Sequence, residues 1–320
     1  MTTRRPLAAK LGRLVVFVGT AKLLVLTAAA LWLLRDPVPH FNRRHAPIVR
    51  VEERPPTRDG GTAEQEVRVE SASGLGIELA IRRPATVESS TVRRPLFLVL
   101  GGHERGKGAA ALIGDTRGAV FASLEYPFDG NHRARGALEV LAQVPAIRRA
   151  IYDTPPAVQL ALDYLLTRPD VDPTRVELVG ASFGAPFATI AAARDTRVTR
   201  LWLAHGGGDT RRMIARGLER DVPLAAARYP ISVLANVLAS GPRFTPEKWI
   251  ADVSPRPVVM LNATEDEKIP RASVEILYEA AGEPKELVWL PGRHMQGNRP
   301  EVLQQLVEAV LARADLPGMR

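Results

Sequence analysis

The chain contains no cysteine, and this absence excludes several kinds of chemistry. Disulfide bridges, thiolate metal sites and a cysteine nucleophile all require a residue that is missing. The six histidines are scattered without the spacing of a metal-binding helix, so we predict neither a metal nor another cofactor. The redox compartment stays open, because proteins without cysteine are tolerated in every compartment.

Aromatic residues make up only 5% of the chain, and its surplus of positive charge is confined to one end. Residues 1–50 hold nine basic residues and a single acidic one, Asp36, which accounts for the whole net charge of +8. The remainder carries 34 basic and 34 acidic residues and is formally neutral. Such a domain lacks the positive field and the stacking surfaces of a nucleic-acid-binding protein, so we exclude that class.

Long apolar runs are also scarce, with one exception at residues 14–34. This run is interrupted only by Lys22, and about 20 apolar residues suffice to span a bilayer. We therefore predict that residues 1–35 form a membrane anchor with one transmembrane helix, and that the rest lies outside the cytoplasm, because N-terminal anchors usually lead export. A buried core helix and a cleaved signal peptide, with a small-residue site at 28–30, are the alternatives.

Proline and charged residues dominate residues 36–62, which predicts a linker without regular structure. A single catalytic domain over residues 63–320 follows. Its first signal is a period-2 pattern in Val67/Val69 and in Ile77/Leu79/Ile81 around Ser73-Gly74, typical of an antiparallel hairpin.

Short apolar runs then alternate with helical patterns, which indicates βαβ units. The runs are Leu96–Leu100, Ala119–Leu124, Val176–Val179, Val198–Leu203, Val258–Leu261 and Leu287–Leu290. With the hairpin they predict an α/β fold, built on one doubly wound, mostly parallel sheet of eight strands. Residues 209–255 form a helical insertion, which is either a lid over the site or a helix pair packed at the sheet edge.

The strongest local signal is Gly180-Ala181-Ser182-Phe183-Gly184, between a predicted strand and a predicted helix. In G-x-S-x-G turns of this kind the serine sits on a sharp strand-to-helix turn, where flanking side chains would clash. We therefore predict that Ser182 is a nucleophile, with Gly180 and Gly184 as the motif glycines.

Serine needs a base to take its proton and an acid to orient that base. His294 follows the last predicted strand and is the candidate base. Asp266 follows the strand before it and is the preferred acid, which gives the chain order Ser, Asp, His. Glu265, Glu267 and Asp209 are the alternatives.

An acyl transfer also requires donors for the oxyanion. The residue after the nucleophile, Phe183, supplies one backbone N–H. The loop after the run ending at Leu100 supplies the other, and by position we assign it to His103, directly after Gly101 and Gly102.

The stretch from Leu160 through Pro169-Asp170-Val171-Asp172-Pro173 to the serine motif resembles the α/β-hydrolase superfamily, and more narrowly its dienelactone-hydrolase and prolyl-oligopeptidase-like branches. The resemblance runs from about Glu66 to Leu311 and implies the same nucleophile, acid, base and oxyanion donors. It departs from the family pattern at Gly101-Gly102, where His-Gly is usual. It implies a serine hydrolase, but the same triad serves esters, thioesters and peptides. Similar oligopeptidases carry a large N-terminal gating domain, and only about 30 linker residues are available here, so we expect cleavage of a small or lipid-like carboxylic ester. A thioesterase or peptidase, or an inactive binding module at the membrane, are the alternatives, and the oligomeric state is left open.

Overall fold

The computed structural model describes residues 5–33, 35–85, 92–102, 105–131, 133 and 136–314. The chain separates into two units, one ending at Asp36 and one beginning at Pro37. The first unit contains helix α1 (Arg5–Leu33). Among the described residues no helix is both long enough and apolar enough to cross a bilayer, contrary to the span predicted at residues 14–34.

The second unit alternates strands and helices, as the sequence predicts. Its strands are β1 (Ile48–Glu53), β2 (Thr57–Asp59), β3 (Thr62–Ser71), β4 (Gly76–Pro84), β5 (Arg94–Leu100), β6 (Val120–Leu124), β7 (Val171–Ala181), β8 (Arg200–Ala204), β9 (Val258–Ala263) and β10 (Lys285–Leu290). Its helices are α2 (Val38–Arg44), α3 (Ala137–Leu165), α4 (Ala185–Arg194), α5 (Thr210–Gly217), α6 (Ala225–Leu238), α7 (Gly241–Phe244), α8 (Arg271–Ala280) and α9 (Pro300–Arg313). Short 3₁₀ segments include Gly106–Leu112 and Ser182–Gly184.

The described strands form one sheet, in the order β1, β3, β4, β6, β5, β7, β8, β9, β10, with β2 paired to β3. The six strands from β5 to β10 are joined in parallel, whereas β1 to β4 pair antiparallel. All eight predicted strands are present, including the hairpin, in which Val67 lies opposite Leu79 and Val69 opposite Ile77. The mixed α/β architecture is therefore confirmed, with two strands more than predicted.

The two additional strands lie in the predicted linker, so the assignment of residues 36–62 to irregular structure was wrong. The prolines of residues 36–62 lie at or near the ends of regular elements and do not interrupt them. Pro39 lies in the first turn of α2, where a missing N–H is tolerated. Pro47 precedes β1, and the Pro55-Pro56 pair separates β1 from β2. The side chain of Phe41 on α2 is only 1% exposed and packs into the core.

The sheet divides the core into two apolar layers because successive strand residues point to opposite faces. On β5, Leu98 belongs to one layer, which also contains side chains of α3, α4 and α8. Its neighbours Phe97 and Val99 belong to the other layer, which contains side chains of Gly106–Leu112 and of α9. The carboxyl ends of β5, β7, β8 and β9 meet at one edge of this sheet, which is where a site is expected.

Residues 209–255 form α5, α6, α7 and two 3₁₀ segments. Arg148 of α3 donates a hydrogen bond to the carbonyl oxygen of Leu238 at the end of α6, at 3.1 Å. The insertion therefore contacts the helix layer, as in the helix-pair interpretation. The lid interpretation stays a prediction.

Candidate active site

Ser182 occupies a strained turn between β7 and α4. Its φ of 51° lies in the left-handed region, which is uncommon for a residue other than glycine, asparagine or aspartate. Strain of this kind persists where the surrounding structure enforces it, and it clusters at functional sites. The turn lifts the half-buried serine side chain to the carboxyl edge of the sheet.

The two motif glycines allow this turn to pack closely. A Cβ at Gly180 would lie 2.7 Å from the Cβ of Ala188 and 2.8 Å from the Cα of Ala185. A Cβ at Gly184 would collide with the carbonyl oxygen of Leu100, at the end of the neighbouring strand β5. Both positions therefore exclude any side chain, which is the reason for glycine that the motif predicts.

Three predicted residues from three different loops come together at this edge. The Oγ of Ser182 lies 2.8 Å from Nε2 of His294. The Nδ1 of the same ring lies 2.8 Å and 3.0 Å from the two carboxylate oxygens of Asp266. An ionised carboxylate can only accept, so Nδ1 carries the ring proton and Nε2 is free to accept from the serine hydroxyl. This is the orientation that a serine nucleophile requires.

Asp266 is held as a carboxylate. Burial alone would raise its pKa, but hydrogen bonds from His294 and from the backbone N–H groups of Lys268 and Ile269 hold the pKa below its ordinary value. The negative charge is therefore present at neutral pH, beside the ring that would become positive when His294 accepts a proton.

The alternative acids have other partners. Asp209 accepts a hydrogen bond from the backbone N–H of Arg212 at 3.1 Å and caps α5. Glu265 is exposed. Glu267 accepts from the backbone N–H of His294 at 3.0 Å and from Arg299 at 2.7 Å. Burial opposes its ionisation, yet these donors lower the pKa of Glu267 to about 2. Glu267 therefore holds the backbone of His294, while Asp266 contacts its ring.

His205, at the end of β8, is a residue that the sequence analysis missed. Its side chain is 1% exposed, and its Nδ1 accepts a hydrogen bond at 2.9 Å from the backbone N–H of Met295, the residue after His294. Burial and the nearby His294 lower the pKa of His205 to about 4, so the ring is neutral at neutral pH. The signal available was its place directly after a buried strand, at the same edge as Ser182.

His205, Asp266 and His294 form the kind of group that could hold a metal ion, since their candidate ligand atoms lie within 4.8 Å of one another. The side chains of this group already have hydrogen-bond partners. The Nδ1 of His294 binds Asp266, and the Nδ1 of His205 accepts from Met295. A metal would have to displace these bonds, so the cluster fits a hydrogen-bonded acid and base better than a ligand set.

Of the two predicted oxyanion donors, Phe183 is among the described residues and His103 lies outside them. Gly101 directly follows β5 at the same edge, and its carbonyl oxygen accepts from the hydroxyl of Tyr126 at 2.5 Å. Gly101 and Gly102 both line the space beside Ser182. The ring of Phe183 packs against Tyr126 and Phe187. The roles of Phe183 and His103 as donors stay predictions.

A cavity of about 750 Å³ opens beside Ser182 and His294. Its lining includes residues of β5, β7, the segment Gly106–Leu112 and α9, whereas none of residues 209–255 contributes to it. The cavity thus lies on the α9 side of the sheet, away from the insertion.

No family model matches the chain. Proteins described as "Uncharacterized protein YfhR" from Salmonella typhi and Salmonella typhimurium are each 31% identical over 142 residues, which cover 42% of this chain and 45% of the relative. The match therefore spans less than half the length of these curated relatives.

Solved structures match over far more of the chain. An acetyl xylan esterase from a Paenibacillus species has a TM-score of 0.59 at 17% identity, covering 88% of this chain and 93% of its own. A cold-adapted esterase from an Arctic intertidal metagenomic library has a TM-score of 0.53 at 17% identity, covering 82% and 98%. The alpha/beta hydrolase GrgF from a Penicillium species has a TM-score of 0.51 at 17% identity, covering 81% and 97%. The chain has the α/β-hydrolase fold that its sequence motifs predict.

Proposed function

We propose that this protein is a serine hydrolase that cleaves a carboxylic ester through an acyl-enzyme intermediate. The observation that carries the proposal is the continuous hydrogen-bond chain from Asp266 through His294 to Ser182. Separate loops bring these three side chains together at the carboxyl edge of the sheet in an α/β-hydrolase fold. The acid contacts the base, and the base contacts the nucleophile, as these roles require.

The mechanism follows from the proton positions. His294 accepts the proton of Ser182 at Nε2 while Oγ attacks the ester carbonyl, and Asp266 stabilises the resulting imidazolium. The imidazolium then returns the proton to the departing alkoxide, which leaves the acyl group on Ser182. A water molecule, deprotonated by the same ring, hydrolyses this acyl-enzyme and restores the serine.

The negative oxygen of the tetrahedral intermediate needs fixed donors in this site. Phe183 follows the nucleophile and stands just before α4, whose N-terminal dipole also favours negative charge there. We assign the first donor to its backbone N–H and the second to the loop after Gly102, at His103.

Ester hydrolysis is favoured over thioester or peptide hydrolysis by the names of the structural neighbours, several of which are esterases. The same three residues would serve all three reactions, so the bond type is tested directly by comparing kcat/KM for an ester, a thioester and an amide that share one acyl group.

The first experiment is labelling with a fluorophosphonate probe, which reacts with an activated serine whatever the natural substrate. We expect labelling at Ser182 and its complete loss in Ser182→Ala, with hydrolysis of p-nitrophenyl acetate reduced by a factor of about 10⁴ or more. Ser273→Ala, on α8 and outside the site, is the matched control and should label normally. A Ser182→Ala variant that keeps more than about a tenth of the wild-type rate would contradict the assignment.

A further inference from the structure

The cavity beside Ser182 lies on the α9 side of the sheet, and most of its lining residues are apolar. Among the residues that the structure describes, its polar and charged lining residues are Arg105, Ser182, Lys268, His294, Gln296 and Asn298, all from loops at the carboxyl edge. The other described lining residues have apolar side chains or are glycine. The polar side chains therefore lie at the carboxyl edge of the sheet, which we call the mouth of the cavity.

One wall of the interior is the face of the sheet. Val99 on β5 and Val179 on β7 line this wall, and Phe97, two residues before Val99 on the same face of β5, also lines it but is fully buried. The two valines each keep 9% of their surface accessible, although they lie in the centre of the sheet. This accessible surface faces the cavity.

The opposite wall is α9. Leu303, Val307, Val310 and Leu311 recur at the spacing of one helical face and all line the cavity. The distance from the first to the last of them is about 12 Å along the helix axis. The two walls therefore flank a partly open channel beside Ser182.

Part of the described connection between β5 and β6, the segment Gly106–Leu112, has mostly small side chains and leaves room on this face; its sequence is Gly-Lys-Gly-Ala-Ala-Ala-Leu. Protein interiors normally leave few voids larger than a water molecule, and an apolar void is destabilising unless it is filled. Apolar cavities bind apolar molecules in preference to water.

We infer that this cavity binds the acyl chain of the substrate, and that the chain is a medium-length or long unbranched aliphatic group. The inference rests on the proposed ester hydrolysis at Ser182. With the ester carbonyl at Oγ, the acyl chain enters between Val179 and Val307, while the alcohol portion stays at the polar mouth. A volume of about 750 Å³ falls within the range of about 300 to 1,000 Å³ that ligand pockets occupy.

The test is a series of p-nitrophenyl esters from acetate through butyrate and octanoate to decanoate. Each methylene that leaves water for the cavity should raise kcat/KM by about threefold to fourfold until the channel is full. A wild-type enzyme that prefers acetate to decanoate would overturn the inference.

Val307→Trp fills the channel from the α9 side. We expect the ratio of kcat/KM for decanoate over that for acetate to fall by about tenfold or more, because room for several methylenes is lost. Glu308→Trp places the same side chain at the next, exposed position of α9 and is the matched control, which should keep the wild-type ratio. An unchanged ratio in a folded Val307→Trp protein contradicts the inference. If circular dichroism shows that this variant does not fold, Val307→Phe replaces it with the same expected direction.

A binding measurement separates this inference from the proposed function. In the Ser182→Ala variant, addition of free decanoate should raise Tm. In the double variant that also carries Val307→Trp, free decanoate should no longer raise Tm. If the inference fails and the proposed function holds, Ser182 still reacts with the fluorophosphonate and acetate esters are hydrolysed without any dependence on Val307. If the proposed function fails, neither labelling nor ester hydrolysis is seen.

Discussion

Two neighbouring loops leave the same edge of the sheet after the parallel strands β8 and β9, and each carries one aspartate. The loop after β8 holds His205 and Asp209, and the loop after β9 holds Asp266 between two glutamates. Both aspartates lie where the third member of a catalytic triad can stand in this architecture. Only the second loop places its aspartate against His294, at 2.8 Å.

The difference lies in local hydrogen bonding. Asp209 is used as the N-cap of α5 and pairs with Arg211 and Arg212. Asp266 accepts from two backbone N–H groups of its own loop, at 2.8 Å each, and still presents its carboxylate to the histidine ring. The loop after β8 instead contributes through His205, whose Nδ1 accepts from the backbone N–H of Met295, the residue after His294. The loop after β9 therefore orients the ring of His294, and the loop after β8 positions the segment that carries this ring.

The largest expected effect separates the two aspartates. Asp266→Asn should lower kcat for p-nitrophenyl acetate by a factor of about 10⁴, because the amide favours the wrong ring tautomer and cannot stabilise the imidazolium. Asp209→Asn should leave kcat within about threefold of wild type, since asparagine is an equally good helix cap. Steady-state kinetics on both variants test the contrast, and a larger loss in Asp209→Asn would reverse the assignment.

A smaller effect tests the contribution of the loop after β8. His205→Ala removes the hydrogen-bond acceptor for the backbone N–H of Met295, so we expect kcat to fall by about tenfold to a hundredfold through displacement of His294. His205→Asn should recover most of that loss, because asparagine offers an acceptor and tolerates the positive φ of 52° at this position. If both variants have the same kcat, the hydrogen bond to Met295 does not position the base.

The smallest effect concerns Glu267 and appears in stability as a function of pH. Its pKa is about 2 in the folded protein against an ordinary 4.5. The unfolded chain takes up this proton near pH 4.5 and the folded chain does not. The stabilisation from the carboxylate is therefore complete above pH 4.5 and is lost as the pH falls toward 2.

Glu267→Gln should accordingly lower Tm by about 2–4 °C at neutral pH. The gap to wild type should narrow as the pH falls below 4.5, toward the folded pKa of about 2. Thermal melts followed by circular dichroism measure both quantities. Glu265→Gln, at the exposed neighbouring acid, is the matched control and should leave Tm at neutral pH close to that of wild type. A gap for Glu267→Gln that stays constant with pH would argue against its lowered pKa.

Several elements of this fold are predictable from local sequence. Buried strands such as β5 and β9 appear as short apolar runs, and α9 appears as a helical stripe. The linker prediction failed for a local reason as well. The prediction treated a high proline content as excluding regular structure, but here the prolines lie in the first turn of α2 or next to strand ends. Helix α3 even contains three prolines in its interior.

Other features depend on contacts between distant segments. The burial of His205 follows from the packing of the β8 loop against its neighbours, where a Cβ at Gly207 would lie 2.9 Å from the side chain of Ile269. No spacing in the sequence encodes that approach. The choice of acid is similar, because Asp209 and Asp266 both follow buried strands.

The sequence by itself determined the alternation of strands and helices, the strained turn at Ser182 and the candidate status of His294 and Asp266, since these depend on periodicity and on residues close to one another in the chain. The tertiary structure decided which acid meets the histidine, which buried residue supports it and where the apolar cavity lies. Those features arise where β8, β9 and α9 approach one another, and the spacing between separate segments is set by packing that no local pattern contains.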